Sequence, residues 1–186
     1  MQRIIYLATK NENKVQVAQN SLKKYDIVVK QAVLDTPEIQ SSDIEDIVKY
    51  SVLYAAGKLG KPVIKGDVGF HIKALNGFPG PFIKFINKWL TKKQFIRLFE
   101  KETDKNAYFI DALGYCRPGD KPVCFITNTY GKLTTTPEGD NGNMIDSLFI
   151  PDGFNKTIAA LSKEDYLKLW DNDRYIQLYK HLEHDS

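Results

Sequence analysis

Cysteine is scarce in this chain. Cys116 and Cys124 are the only two in 186 residues, too few for a disulfide framework. One bridge between neighbouring strands is geometrically open to them, but isolated cysteines among apolar residues read as reduced, buried thiols. Histidine is nearly as scarce. His71, His181 and His184 lack metal-ligand spacing, which argues against a zinc site and against Ser-His-Asp or Cys-His nucleophiles. No apolar run approaches the roughly 18 residues of a membrane span. An excess of one charge is also missing. The chain carries 26 basic and 23 acidic side chains, a net +3, and they are interspersed rather than gathered into the stripe of a nucleic-acid binder. The apolar stretch Ile4 to Ala8 is too short for a signal-peptide core, so a cytoplasmic protein without membrane or nucleic-acid partners is expected.

What is present is ordinary globular composition, 42% hydrophobic and 26% charged, enough for a buried core. No repeat or low-complexity linker divides it, so residues 1–186 are expected to form one domain with two lobes. Ile4 to Ala8 reads as a first strand, beginning after Met1-Gln2-Arg3, and Lys14 to Lys24 as a helix with Val15, Ala18 and Leu22 on one face. Ile27 to Val33 reads as a strand. Ser42-Asp43-Ile44-Glu45 has the form of a capping box opening a helix through Leu59. Pro62 to Lys65 is strand-like, and Asn76 to Pro81 is a rigid turn before an aromatic segment ending near Trp89. Thr91-Lys92-Lys93-Gln94 is a second capping box. Asn106 to Cys116 and Val123 to Tyr130 are long strands joined by a Pro- and Gly-containing turn, with a third strand expected at Lys132 to Thr136. A flexible loop at Pro137 to Asn143 and helices at Ser162 to Lys168 and Asp171 to Glu183 complete the reading. The alternation of strands and helices predicts an α/β fold, a mixed central sheet flanked by helices.

Several residues carry chemistry. Thr9-Lys10-Asn11-Glu12-Asn13-Lys14 opens a helix with a hydroxyl, an amide and lysines, which reads either as a solvated cap or as an anion site suited to phosphate. Asp67, in Lys65-Gly66-Asp67-Val68-Gly69-Phe70, is expected at the end of a buried strand, where a carboxylate either forms a turn or holds Mg²⁺ and activates water. Glu38, in a loop after a strand, offers a second carboxylate. Lys84 follows the Gly80-Pro81 turn and either snorkels to water or reaches a phosphate. Asp171-Asn172-Asp173-Arg174 reads as a helix start, with Arg174 in an exposed salt bridge or clamping a phosphate or base edge.

The order of these segments resembles the inosine triphosphate pyrophosphatase family. Thr9 to Lys14 matches its T-x-N-x-x-K. Asp67-Val68-Gly69-Phe70 and Ala74-Leu75-Asn76-Gly77-Phe78-Pro79-Gly80-Pro81-Phe82-Ile83-Lys84 are similar to its D-[ST]-G-L and A-L-x-G-x-P-G-P-Y-I-K. Phe149-Ile150-Pro151-Asp152-Gly153-Phe154-Asn155-Lys156-Thr157 is similar to its F-x-P-x-G-x-x-x-T. The resemblance spans Ile4 to Leu182. It implies an elongated mixed sheet with helices, two lobes with a nucleotide cleft between them, and a homodimer. It also implies Mg²⁺-dependent cleavage (Mn²⁺ substituting) of the α–β phosphoanhydride of non-standard purine nucleoside triphosphates such as ITP, dITP and XTP, to a monophosphate and pyrophosphate. Thr9, Asn11, Lys14, Lys49 and Lys84 would then bind substrate phosphates. Lys14 would also assist catalysis, Glu38 and Asp67 would hold the metal, and Asp67 would be its ligand or the general base. Lys168, Asn172 and Arg174 fall at base-recognition positions, and Asp146 in a base-contacting loop.

The departures cluster at functional positions. Gly66 stands where the family has an acidic residue. Asn143-Met144-Ile145-Asp146 replaces F-G-[WY]-D, and Asn172-Asp173-Arg174 replaces Ser-His-Arg. A changed set of placed hydrogen bonds changes base discrimination. The rivals to the enzyme reading are a weak or inactive relative that binds nucleotides or proteins, and a nucleic-acid-binding module.

Overall fold

Strand propensity in the first residues produces an inner strand, β1 (Arg3–Ala8), in a computed structural model that describes residues 3–184; Met1 and Gln2, ahead of it, lie outside the described residues. Next come α1 (Glu12–Lys23), β2 (Ile27–Ala32), α2 (Ile44–Leu59), β3 (Val63–Ile72) and the two-residue β4 (Pro79–Gly80). These are followed by α3 (Ile83–Trp89), α4 (Lys92–Arg97), β5 (Asn106–Cys116), β6 (Val123–Leu133), β7 (Phe149–Pro151), α5 (Lys163–Trp170) and α6 (Asp173–His184). Among the described residues the strands form one sheet in the order β2-β1-β3-β5-β6-β7, with β4 paired to β3. The sheet is mixed: β1 runs parallel to β2 and β3, whereas β3–β4 and β6–β7 are antiparallel. The expected α/β class is what the chain adopts.

Two units partition the chain. The first comprises Met1–Asp67, Asp111–Thr127 and Leu167–Ser186, the second Val68–Ile110 and Asn128–Tyr166. In the first, Ala8, Val52, Ala55, Ala56, Val63 and Cys116 pack into one buried cluster, which removes apolar surface from water at about 25 cal/mol per Å². In the second, the rings of Phe70, Phe109 and Phe149 meet at centroid distances of 4.7, 5.2 and 5.4 Å, the edge-to-face and tilted geometries that aromatic quadrupoles favour. Both cysteines are free thiols, as expected, but only Cys116 is buried; Cys124 is half-buried. Among the described residues, no helix is long and apolar enough to cross a membrane.

The structure corrects four local readings. The cap of α2 is Asp43, whose carboxylate accepts from Glu45 N at 2.8 Å, not Ser42; Ser41 Oγ in turn accepts from Asp43 N, and this nested turn delivers the chain to the helix one residue later. The helix does stop at the left-handed Gly60, φ 59°, where a side chain would be strained. Strand β3 does not end at Lys65 but continues to Ile72, so Asp67 lies within it. No separate strand covers Lys132 to Thr136; β6 simply runs on to Leu133. The loop expected to be flexible is pinned by backbone bonds, Glu138 N to Ser147 O (3.0 Å) and Asn141 N to Ala159 O (3.4 Å), and by Thr157 Oγ1 donating to Glu138 O.

Candidate functional site

The first turn of α1 is built by side chains. Asn11 Oδ1 accepts from Asn13 N (2.9 Å) and Lys14 N (3.3 Å), and Thr9 Oγ1 accepts from Asn11 N at 3.1 Å. The cap thus occupies backbone donors that a bare helix start offers to an anion. Beside this cap stands the Lys14 ammonium. It donates to Gly66 O at 2.8 Å and stands 3.7 Å from Asp67 Oδ1, both side chains about one-third exposed. Thr9, Asn11, Lys14 and Asp67 are therefore brought together by β1, α1 and β3: a fixed cation, a helix N-terminus and a carboxylate in one polar neighbourhood. Lys10, beside them, pairs with Asp35 at 2.6 Å.

The two glycines around Asp67 differ in purpose. A Cβ on Gly66 would meet Ala112 O at 3.6 Å and Leu113 Cδ1 at 3.8 Å, ordinary contacts, so space does not require glycine there; its carbonyl is what Lys14 uses. Gly69 is confined: its Cβ would lie 3.0 Å from His71 Nε2 and 3.4 Å from the Gly80 carbonyl, where β4 approaches β3.

The remaining residues singled out from sequence have other surroundings. Glu38 is exposed on the connection between β2 and α2, next to Pro37, whose carbonyl accepts from the buried Ser51 Oγ at 3.1 Å. Lys49 pairs with Glu45 one turn earlier on α2 at 2.5 Å; that hydrogen bond holds its ammonium above the usual lysine pKa, against a small effect of burial. Lys84 is exposed in the first turn of α3, in the second unit, and Lys168 is exposed on α5, in the first.

Asp146 ends a reciprocal turn in the second unit. Asn143 Oδ1 accepts from Ile145 N (2.8 Å) and Asp146 N (3.3 Å), while Asp146 Oδ2 accepts from Asn143 N at 2.7 Å. Gly142 has φ +80°, and a Cβ there would collide with the Asp146 carboxylate, so Gly142 permits the turn. Burial pushes the Asp146 carboxyl up from 3.8 to about 6, with the Asn143 N–H opposing it. The folded protein therefore binds this proton more tightly than the unfolded chain. The stability from the neutral carboxyl is complete below the unfolded value of 3.8 and is lost as pH rises through about 6, roughly 2 kcal/mol after allowing for partial exposure. Asp146→Asn, neutral at every pH, is expected to melt above the parent at pH 7 and level with it near pH 4. A melting difference that does not vary with pH would refute the assignment.

Arg174 corrects the expectation of an exposed salt bridge. It is 8% exposed, and its Nη1 stands 2.7 Å from Oδ1 of Asp111 on β5, whose side chain is wholly buried. Burial disfavours the guanidinium charge, but Asp111 and Tyr175 outweigh it and raise the pKa. Asp111 escaped the sequence reading, although a lone acid inside the apolar run Phe109-Ile110-Asp111-Ala112-Leu113 was a visible signal, because a buried carboxylate needs a partner. Asn172, at the start of α6, has both side-chain polar atoms buried and without a hydrogen-bond partner.

Among the described residues, no three His, Cys, Asp or Glu side chains gather into a metal cage. Magnesium seldom uses one: it keeps waters and takes one or two carboxylates together with substrate phosphates. Asp67 is a hard oxygen donor of that kind, about one-third exposed beside Lys14, and its chemistry suits a Mg²⁺ that arrives with a triphosphate; Glu38 is a second donor of the same type, exposed on the β2–α2 connection.

The model of the Ham1 family matches residues 5–169. The chain belongs to the Ham1 family. Its relatives include the dITP/XTP pyrophosphatase of Methanopyrus kandleri, 37% identical over 180 residues that cover 95% of this chain and 96% of that one. The dITP/XTP pyrophosphatase of Methanosarcina mazei is 34% identical, covering 91% of this chain and 90% of the relative. The Ham1 protein of Staphylococcus aureus superposes with a TM-score of 0.79 at 24% identity, over 99% of this chain and 100% of that one, a likeness of fold. Ham1 membership bears out the resemblance read from Thr9–Lys14 and Ala74–Lys84.

Proposed function

We propose that this Ham1 protein is a nucleoside triphosphate pyrophosphohydrolase that cleaves the α–β anhydride of non-standard purine nucleotides, ITP, dITP or XTP, releasing monophosphate and pyrophosphate with Mg²⁺. The observation that carries the reading is the Lys14 ammonium, fixed on Gly66 O beside the Asp67 carboxylate at the capped start of α1. The full-length similarity to dITP/XTP pyrophosphatases supports it.

Lys14, with the positive end of the α1 dipole, neutralises phosphate oxygens on which charge builds as the anhydride breaks. Thr9 and Asn11 hold the turn that aims it. Asp67 orients the attacking water and accepts its proton, or would hold the metal, with Glu38 as the second carboxylate that would share it. Bound Mg²⁺ would supply Lewis-acid charge to the bridging and non-bridging oxygens. Lys49 adds a cationic contact to the phosphate chain, while Lys168, Asn172 and Arg174 serve the base; a phosphate role for Lys84 and a base role for Asp146 are what the family resemblance implies. The cytoplasmic location and homodimer implied by the family resemblance belong to the same proposal.

The test is a pyrophosphate-release assay on ITP, dITP, XTP, dUTP, ATP and GTP, with Mg²⁺ and with chelator. Pyrophosphate and monophosphate in equal amounts, lost on chelation, are expected from the inosine and xanthosine nucleotides. Release of orthophosphate instead, or of nothing from any nucleotide, overturns the proposal.

A further inference from the structure

A buried ion pair is a poor device for stability alone, because desolvating two charges offsets most of their attraction and an apolar pair of similar volume does as well or better. The Asp111–Arg174 pair therefore calls for another account. Asp111 belongs to a stretch of β5, Asp111 to Cys116, that is buried at every residue, so its carboxylate is a rigid point of attachment. Arg174 has five N–H donors in a plane; Asp111 receives one at 2.7 Å, Tyr175 is a second hydrogen-bond partner, and the Tyr175 ring lies 5.0 Å from Cζ. Two residues earlier, the Asn172 amide keeps both Oδ1 and Nδ2 away from water with nothing bonded to either. Leaving such atoms unbonded is costly, and a ligand that fills both needs an acceptor next to a donor. The lactam edge of a 6-oxopurine, C=O beside N–H, has that pattern.

We infer that Asp111 is a positioning residue for the base end of the substrate: from the rigid β5 strand its carboxylate sets the direction of the Arg174 guanidinium, which with the unpaired Asn172 amide reads the lactam edge. The inference rests on the functional proposal above, in assigning the start of α6 to the base. Asp111 itself touches no substrate. Its removal should therefore weaken ligands that carry the base and spare ligands that consist of phosphate alone.

The experiment compares binding of inosine monophosphate and inorganic tripolyphosphate, with Mg²⁺, by calorimetry on the wild-type chain, Asp111→Asn and Asp111→Glu. Asp111→Asn is expected to raise the Kd for inosine monophosphate about tenfold or more while changing that for tripolyphosphate less than twofold. Asp111→Glu keeps the buried charge but displaces it by one methylene. It is expected to fold even where Asp111→Asn does not, and to show the same one-sided loss at smaller amplitude. An equal loss for both ligands means a purely structural role and overturns the inference; so does unaltered inosine monophosphate binding in either variant. Pyrophosphate release by the wild type decides the activity separately. A protein that releases pyrophosphate while its Asp111 variants keep wild-type binding refutes only the positioning role, and one that shows the one-sided loss without releasing pyrophosphate refutes only the activity.

Discussion

Asp67→Asn is expected to leave the protein folded and to lower pyrophosphate release about a thousandfold. The substitution keeps the shape of the side chain and removes its charge and its capacity to take a proton. Both proposed roles of Asp67, metal ligand and base, need the anion, so kcat falls far more than substrate binding. Little stability is at stake, because Lys14 and Asp67 are each about one-third exposed and 3.7 Å apart, and a pair so placed contributes less than about 1 kcal/mol. The melting temperature should thus stay within a few degrees, about 3 °C at most. A variant that retains a tenth or more of wild-type turnover would show that the water is activated elsewhere.

Arg174→Ala has the opposite signature. It strands the Asp111 carboxylate, wholly buried, without its cation, and breaking a buried pair from one side costs about 3–5 kcal/mol. In a chain of this size that lowers the melting temperature by about 10 °C. Removing both partners, Arg174→Met with Asp111→Leu, should recover most of the loss, since no charge is then left in the core. Thermal and denaturant unfolding of the two proteins checks this; a single variant as stable as the wild type would mean that Asp111 is satisfied without Arg174.

Periodicity made most elements legible in the sequence, because a helix or strand buries one face and says so in its spacing. The Thr91–Gln94 capping box is an example, since both of its hydrogen bonds are local. Where two residues compete for one local role, the sequence was silent. Ser42 and Asp43 are both good caps, and the choice fell to the turn that Ser41 makes before them. Strand β3 outran its expected end because Gly66 and Gly69 look like breakers; in the sheet they serve a lysine and a neighbouring strand instead. On the site, Lys14 and Asp67 were readable because each sits in a polar segment at the edge of an apolar one. The Asp111–Arg174 pair joins residues 63 apart in the chain, and no local pattern encodes such a partner. Its acid was visible as an anomaly, its cation as a motif residue, and only the fold showed that they meet.

The chain's two tryptophans, Trp89 and Trp170, are 66% and 8% exposed, and that difference gives the protein a built-in optical label. A hydrated indole emits at longer wavelength than a buried one, and an aqueous quencher reaches it first, so the two emissions separate without dye. Trp170 closes α5, two residues before Asn172. With Trp89→Phe as background, the remaining fluorescence comes from the doorstep of the proposed base contacts and records nucleotide arrival in real time, separately from any turnover.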